Sequence, residues 1–214
     1  MKLLQRLGIV YIQTKFKLLT ILSKEKAAQK AFEVFGTPFL KSKSKAALKN
    51  AENIELLLNG KKVKGYRWNH PRPGKILILH GFGSAAHKFE SYAVLLAMHG
   101  FEVLAFDAPA HGGSEGVYTN AIEYSAMIEK VIAGYGPIQG FIAHSFGGIS
   151  LSLALEKIQH TINTKVVFIA PATETTSAVD GAFNMLKLKN KEVRKEFDKI
   201  IKTESGKETA SFSM

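Results

Sequence analysis

Apolar and polar positions along the chain change rhythm twice. In the first stretch Leu3, Leu7, Val10, Tyr11, Thr14, Leu18 and Leu22 recur at helical spacing, with Lys2, Arg6, Gln13, Lys17 and Lys24 mostly off that stripe. This predicts an amphipathic basic helix. A second helix is expected over about Lys24–Phe35, ended by Gly36, Thr37 and Pro38, with Lys41–Lys49 as a basic connector. From Ala51 the rhythm shortens. IELLL, Asn59-Gly60 and KKVKGYRW read as a β-hairpin on an Asn-Gly turn. Apolar strands then alternate with helices. The strands are KILILH, FEVLAFD, IQGFIAH and KVVFIA; the helices cover Ala85–His99, Ala121–Gly134 and Phe146–Gln159. Such alternation predicts a parallel sheet covered on both faces. After Pro171 the strands stop, and 174–214 is polar, charged and partly helical. The expected domains are a helical N-terminal extension (1–49), an α/β core (50–173) and a helical C-terminal region (174–214).

Charge sharpens this division. Residues 1–49 hold eleven Lys or Arg against two Asp or Glu, a balance of +9 out of the total of +11. The core and C-terminal region are close to neutral. Nucleic acid binding is therefore not expected, because the folded body lacks a basic surface and no nucleic-acid module is recognisable. The basic segment suits contact with an anionic surface or packing on its own domain, and packing is the favoured reading. The apolar run LGIVYIQTKFKLLTIL is interrupted by Lys15 and Lys17 and is too short to span a bilayer. No small-residue cleavage site follows it, so the expected location is cytoplasmic, with peripheral membrane contact through residues 1–49 as the variant. The chain has no cysteine, which excludes disulfides and thiolate metal sites.

The segment FIAHSFGGISLSLAL carries the clearest chemistry. A strand ends at His144, Ser145 follows, and a helix opens on Gly147 and Gly148. Small residues two positions either side of the serine, Ala143 and Gly147, are what a sharp strand-to-helix turn demands, since larger ones would meet neighbouring backbone. Such a turn lifts the hydroxyl clear of the sheet and sets it at a helix N-terminus, where developing negative charge is stabilised. In ILILHGFG, His80 ends a strand, and Gly81 and Gly83 permit a tight turn. The N–H groups of Phe82 and Phe146 are the expected oxyanion donors. In FDAPAHGGS, Asp107 and His111 are expected to shape the site floor, with His111 read as a loop-ordering residue rather than a base.

Taken in this order, the His80-Gly81 turn, the Asp107-x-x-x-His111-Gly112-x-Ser114 loop and the Ala143-His144-Ser145-Phe146-Gly147 elbow resemble the α/β-hydrolase family over about Ile54–Thr173. The resemblance implies an α/β-hydrolase fold whose mostly parallel sheet has the order 1-2-4-3-5-6 with the hairpin at its N-terminal end. It implies Ser145 as the nucleophile of a serine hydrolase acting on a carboxylic ester or related acyl compound, with no cofactor and no metal. Phe82 and Phe146 are then the oxyanion residues, and His80, Gly81, Gly83, Asp107, His111, His144 and Gly147 shape the site. It also implies an acid after a seventh strand and a histidine after an eighth, with a helical lid before them.

The pattern stops after the sixth strand. Only His160 follows Ser145, and it is expected at the far end of the helix behind the elbow, about 20 Å away. Glu174 and Asp180 are candidate acids with no histidine to orient. The expectation is a chain cut short inside the lid, nearly inactive alone, with self-association through the open edge of the sixth strand. Beside this reading stand a site rewired around His80, His87 or His111 and three further alternatives. One is an inactive binding or scaffold protein on the same fold. Another is a dinucleotide-binding oxidoreductase, because Gly81-x-Gly83-x-x-Ala86 follows a strand and Asp107 ends the next. The third is a metal site from His80, His111 and His144, for which no ligand spacing is present.

Overall fold

The computed structural model describes residues 3–38, 41–42, 47–172 and 175–206. The chain forms two compact units, one of Met1–Gly36 with Glu174–Met214, the other of Thr37–Thr173.

The second unit is a six-stranded sheet. Its strands are β1 (Ala51–Leu58), β2 (Lys61–Trp68), β3 (Lys75–Leu79), β4 (Glu102–Phe106), β5 (Gly140–His144) and β6 (Lys165–Ile169). Their order is β1-β2-β4-β3-β5-β6, as the family resemblance implies. The Asn59-Gly60 turn, both residues at positive φ, joins β1 to β2 in antiparallel register, Leu58 opposite Lys61. β2 pairs antiparallel with β4, and the pairs β4–β3, β3–β5 and β5–β6 are parallel.

Period-two alternation assigns the two faces. Leu77, Leu79, Leu104, Phe106 and Phe141 pack with Tyr124, Met127, Ile128 and Val131 of α4 (Ala121–Tyr135) and with Leu151 and Ala154 of α5 (Phe146–Leu155). Ile78, Val103 and Ala105 face the other way, onto Tyr66, Trp68, Phe89 and Ala93. Those last two belong to a 3₁₀ turn (Ala86–Phe89) and to α3 (Glu90–Met98), which divide the single helix expected over Ala85–His99. β4 is buried along its whole length, including the Glu102 side chain. That carboxylate accepts from Arg67 at 2.7 Å and from the Arg72 N–H at 3.2 Å, and lies 3.0 Å from His70 Nδ1. Burial alone would raise its pKa, but bonds from His70, the Arg72 N–H and Arg67 outweigh this and hold it below the ordinary carboxylate range.

Among the described residues, the regular elements of the first unit are all helices. They are α1 (Leu3–Leu22), α2 (Lys24–Phe35), α6 (Thr175–Met185) and α7 (Lys191–Ser205). Ser23 caps α2 by accepting from the Lys26 N–H, and Asn190 caps α7 by accepting from the N–H groups of Glu192 and Val193. Phe197 gathers the core. The rings of Phe32, Phe35 and Phe183 meet it edge-on at 5.8, 6.2 and 5.1 Å. Arg194 of α7 pairs with Asp180 of α6 and with Asp198. None of the described helices is long and apolar enough to cross a membrane.

Candidate active site

β5 delivers Ser145 and α5 carries the chain away. Between them Ser145 takes φ +50° and ψ −116°, a conformation that L-residues rarely adopt. Three backbone bonds pin it. The Ser145 N–H donates to the Ile169 carbonyl at 3.1 Å, and its own carbonyl accepts from Gly148 at 2.8 Å and Ala172 at 3.0 Å. The hydroxyl caps no helix N–H. Gly147 is required by close approach, because a Cβ there would lie 2.8 Å from the carbonyl oxygens of both Leu79 and His80. Gly81 is required for the same reason from the other side. Its Cβ would lie 2.7 Å from His144 Nδ1 and 3.1 Å from the Ser145 Cβ. The turn after β3 thus packs directly against the elbow.

Phe82 and Phe146 meet edge-on at 5.5 Å, and Phe82 also abuts the His111 ring at 5.1 Å. Among the described residues no backbone partner takes the N–H of Phe82 or of Phe146, whereas their neighbour Gly83 donates to His111 Nε2 at 3.0 Å. The Phe82 side chain is 41% exposed, so an apolar edge lies open beside the serine.

The histidines divide sharply. His80 is buried and accepts from the Ala108 N–H at Nε2 (2.9 Å), while its Nδ1 donates to the Gly81 carbonyl (2.8 Å). Burial pulls its pKa down to about 3. His111 repeats the arrangement, with Nε2 accepting from Gly83 and Nδ1 donating to the Pro109 carbonyl, and burial again lowers its pKa. Both are neutral at pH 7 with both ring nitrogens engaged, so neither is available as a general base or as a metal ligand. His144 Nδ1 is buried without a hydrogen-bond partner among the described residues. His160 is exposed and bonds locally to the Ile158 carbonyl, beyond a helix that ends at Leu155 rather than at the expected Gln159. Its distance from the elbow is set by a ten-residue helix plus a turn, not by fifteen helical residues.

Asp107 is also fully engaged. Its buried carboxylate accepts from Ala86 and from Gly113, each at 2.8 Å, and its carbonyl accepts from the Ser114 hydroxyl at 2.7 Å. Burial raises its pKa, against the lowering effect of those N–H groups. A dinucleotide-binding aspartate must reach a ribose, and this one cannot. That geometry, with the antiparallel β2–β4 pair, removes the dinucleotide reading. Of the two candidate acids, Asp180 is paired with Arg194 in the helical unit, and Glu174 lies outside the described residues.

The bonds that saturate His80, His111 and Asp107 link residues 21 to 28 positions apart for the backbone donors Ala86, Gly83 and Ala108. No local sequence signal announces them. A cleft of about 410 Å³ lies in the helical unit, lined by Glu25, Lys26, Gln29 and Glu196 among others, and contains none of these site residues.

Comparison with known proteins bears on this arrangement. No curated protein matches the chain. Among solved structures, an esterase of Pyrococcus furiosus is similar in two crystal forms. Identities are 20% and 21% and TM-scores 0.50 and 0.51, covering 74% and 68% of this chain and 68% and 59% of that one. An epoxide hydrolase of Vigna radiata is 20% identical at a TM-score of 0.45, over 51% of this chain and 35% of that chain. A thioesterase domain from the curacin biosynthetic pathway is 23% identical at 0.46, over 50% of this chain and 40% of that chain. This chain thus spans less than half the length of the last two. At such identities the likeness is one of fold. The sequence model of the alpha/beta hydrolase family matches residues 76–202, which is more than half of the chain. With the strand order and the Ser145 turn in place, the chain belongs to the alpha/beta hydrolase family.

Proposed function

We propose that this chain supplies the nucleophile and oxyanion half of a serine hydrolase acting on carboxylic esters, thioesters or related acyl compounds. The observation that carries the reading is Ser145 itself, held at φ +50° on the strand-to-helix turn with its hydroxyl uncommitted to the helix. Its Oγ attacks the acyl carbon, and the carbonyl oxygen becomes an oxyanion. The N–H groups of Phe82 and Phe146 receive that charge, each donor contributing roughly 3 kcal/mol of transition-state stabilisation. The bond to the leaving alcohol or thiol then breaks, and water releases the acid from the acyl-enzyme.

The hydroxyl proton needs an acceptor. His80 and His111 are neutral with both ring nitrogens occupied, and His160 lies beyond the far end of α5, so none of these three described histidines is poised to receive it. The 214-residue chain is accordingly expected to react slowly. Without a base, the oxyanion donors and binding leave a residual acceleration on the order of 10³–10⁴ over water. The lack of a poised base among these residues also gives specific support to a second reading, a binding protein on a hydrolase fold.

Fluorophosphonate labelling separates the two. Slow, saturable modification that mass spectrometry maps to Ser145, lost in Ser145→Ala and accelerated by added imidazole, is the expected result. Labelling that is unchanged in Ser145→Ala, or no adduct at Ser145 with or without imidazole, rejects the hydrolase reading in favour of the binding protein.

A further inference from the structure

α1 carries two faces of different purpose. Phe16 is buried, and Ile12, Gln13, Leu19 and Thr20 beside it are partly so. Gln13 Nε2 donates to the Met185 carbonyl at 3.0 Å, fixing this side of the helix to the end of α6. The other side is uncovered and apolar except for Thr14, whose hydroxyl donates to the Val10 carbonyl at 3.0 Å. At about 100° per residue, Val10, Ile21, Leu18, Tyr11 and Leu22 follow one another around the helix as one stripe. They are between 57% and 81% exposed. Lys17 bounds the stripe on one edge and Lys15 on the other, and both are exposed. Residues 1–24 hold five Lys or Arg and no Asp or Glu.

We propose that α1 is an interfacial helix that seats this stripe in the surface of an anionic lipid bilayer. An apolar strip with a cation on each margin matches a plane of hydrocarbon bordered by phosphates, with the lysine stems reaching up to the headgroups. Charge argues against a second copy of the chain as the occupant. Apposed α1 helices would bring Lys15 and Lys17 against their own kind with no carboxylate on the segment to pair them. The helix lies on the membrane and does not cross it. The inference does not depend on Ser145 chemistry, and the Ser145→Ala chain binds equally.

The test uses the full chain with Tyr11→Trp as the reporter, its emission read as the difference from the unsubstituted chain. It is mixed with vesicles of phosphatidylcholine and phosphatidylglycerol in equal amounts or of phosphatidylcholine alone. The expected result is a blue shift of the reporter emission and co-sedimentation with the anionic vesicles. Lys15→Gln/Lys17→Gln should weaken partition about thirtyfold, at roughly 1 kcal/mol per basic residue near the surface. Leu18→Gln/Ile21→Gln should weaken it about a hundredfold or more through lost apolar burial. Circular dichroism must show both variants folded. All four positions are exposed, so helicity is expected to persist, and Lys15→Arg/Lys17→Arg serves as the charge-retaining check. Three outcomes overturn the proposal: equal binding to neutral and anionic vesicles, reporter emission already blue-shifted without lipid, or a stable dimer by light scattering that Leu18→Gln/Ile21→Gln converts to monomer.

Discussion

The loop after β4 and the elbow after β5 end strands that both flank β3, and they treat their polar atoms in opposite ways. In residues 107–114, both Asp107 oxygens, the Ser114 hydroxyl and both His111 nitrogens all have partners. At the elbow, the Ser145 hydroxyl caps nothing, the Phe146 N–H has no backbone partner among the described residues, and the backbone is held where L-residues are rarely found. A saturated loop resists change and stabilises the fold. Both segments hold an L-residue at positive φ, Ala110 in the loop and Ser145 at the elbow, so what separates them is that the elbow leaves polar atoms uncommitted. Titratable residue types alone would point to the loop, whose polar atoms are already committed to the fold.

The comparison can be broken most severely at Asp107. Asp107→Ala strands the N–H groups of Ala86 and Gly113 and should cost about 3 kcal/mol, with each lost acceptor worth roughly 1–3. Urea denaturation at pH 7 measures it, and a cost near zero would mean that the loop does not depend on its carboxylate.

Acid probes this loop, together with the His80 ring that accepts from its Ala108 N–H, less severely. His80 has a folded pKa near 3 against an ordinary 6.5, and His111 is lowered too. The unfolded chain then binds more protons below about pH 6.5, so stability falls as pH falls through that window. Between pH 7 and pH 5, above the ordinary carboxylate range, the loss should be about 2 kcal/mol from His80 alone. Equal urea midpoints and slopes at the two pH values would contradict a buried neutral pair.

The smallest effect belongs to the elbow and has the opposite sign. Ser145→Gly relieves the positive φ at the expense of extra freedom in the unfolded chain, and a net gain of about 1 kcal/mol is expected. A lower melting temperature for Ser145→Gly would show that the turn is not strained by its side chain.

Much of this is legible in the sequence because its signals are local. Asn59-Gly60 announces the hairpin, apolar runs announce the strands, and Ala143 and Gly147 around Ser145 announce the turn. What stays hidden is carried by distant partners. Nothing near His111 in sequence says that the Gly83 N–H occupies its Nε2. Nothing in either terminal segment says that 1–36 and 174–214 form one unit around Phe197. Periodicity exposes the amphipathic character of α1 but cannot tell that Phe16 faces inward while Leu18 and Ile21 face out. Sequence pattern overextends the helix behind the elbow, because SLSLALEKIQ continues to look helical after Leu155, where the backbone turns.

The two bonds that join the serine peptide to Ile169 and Ala172 have a consequence for biosynthesis. A polypeptide emerging from the ribosome presents Ser145 well before its anchors. Until the β6 segment has cleared the exit tunnel and paired, only the Gly148 N–H holds the turn, and relaxed backbone there is expected instead of the positive-φ conformation. The positive-φ geometry of the turn is thus a late product of vectorial folding, and nascent chains stalled short of Ala172 should carry the serine without it.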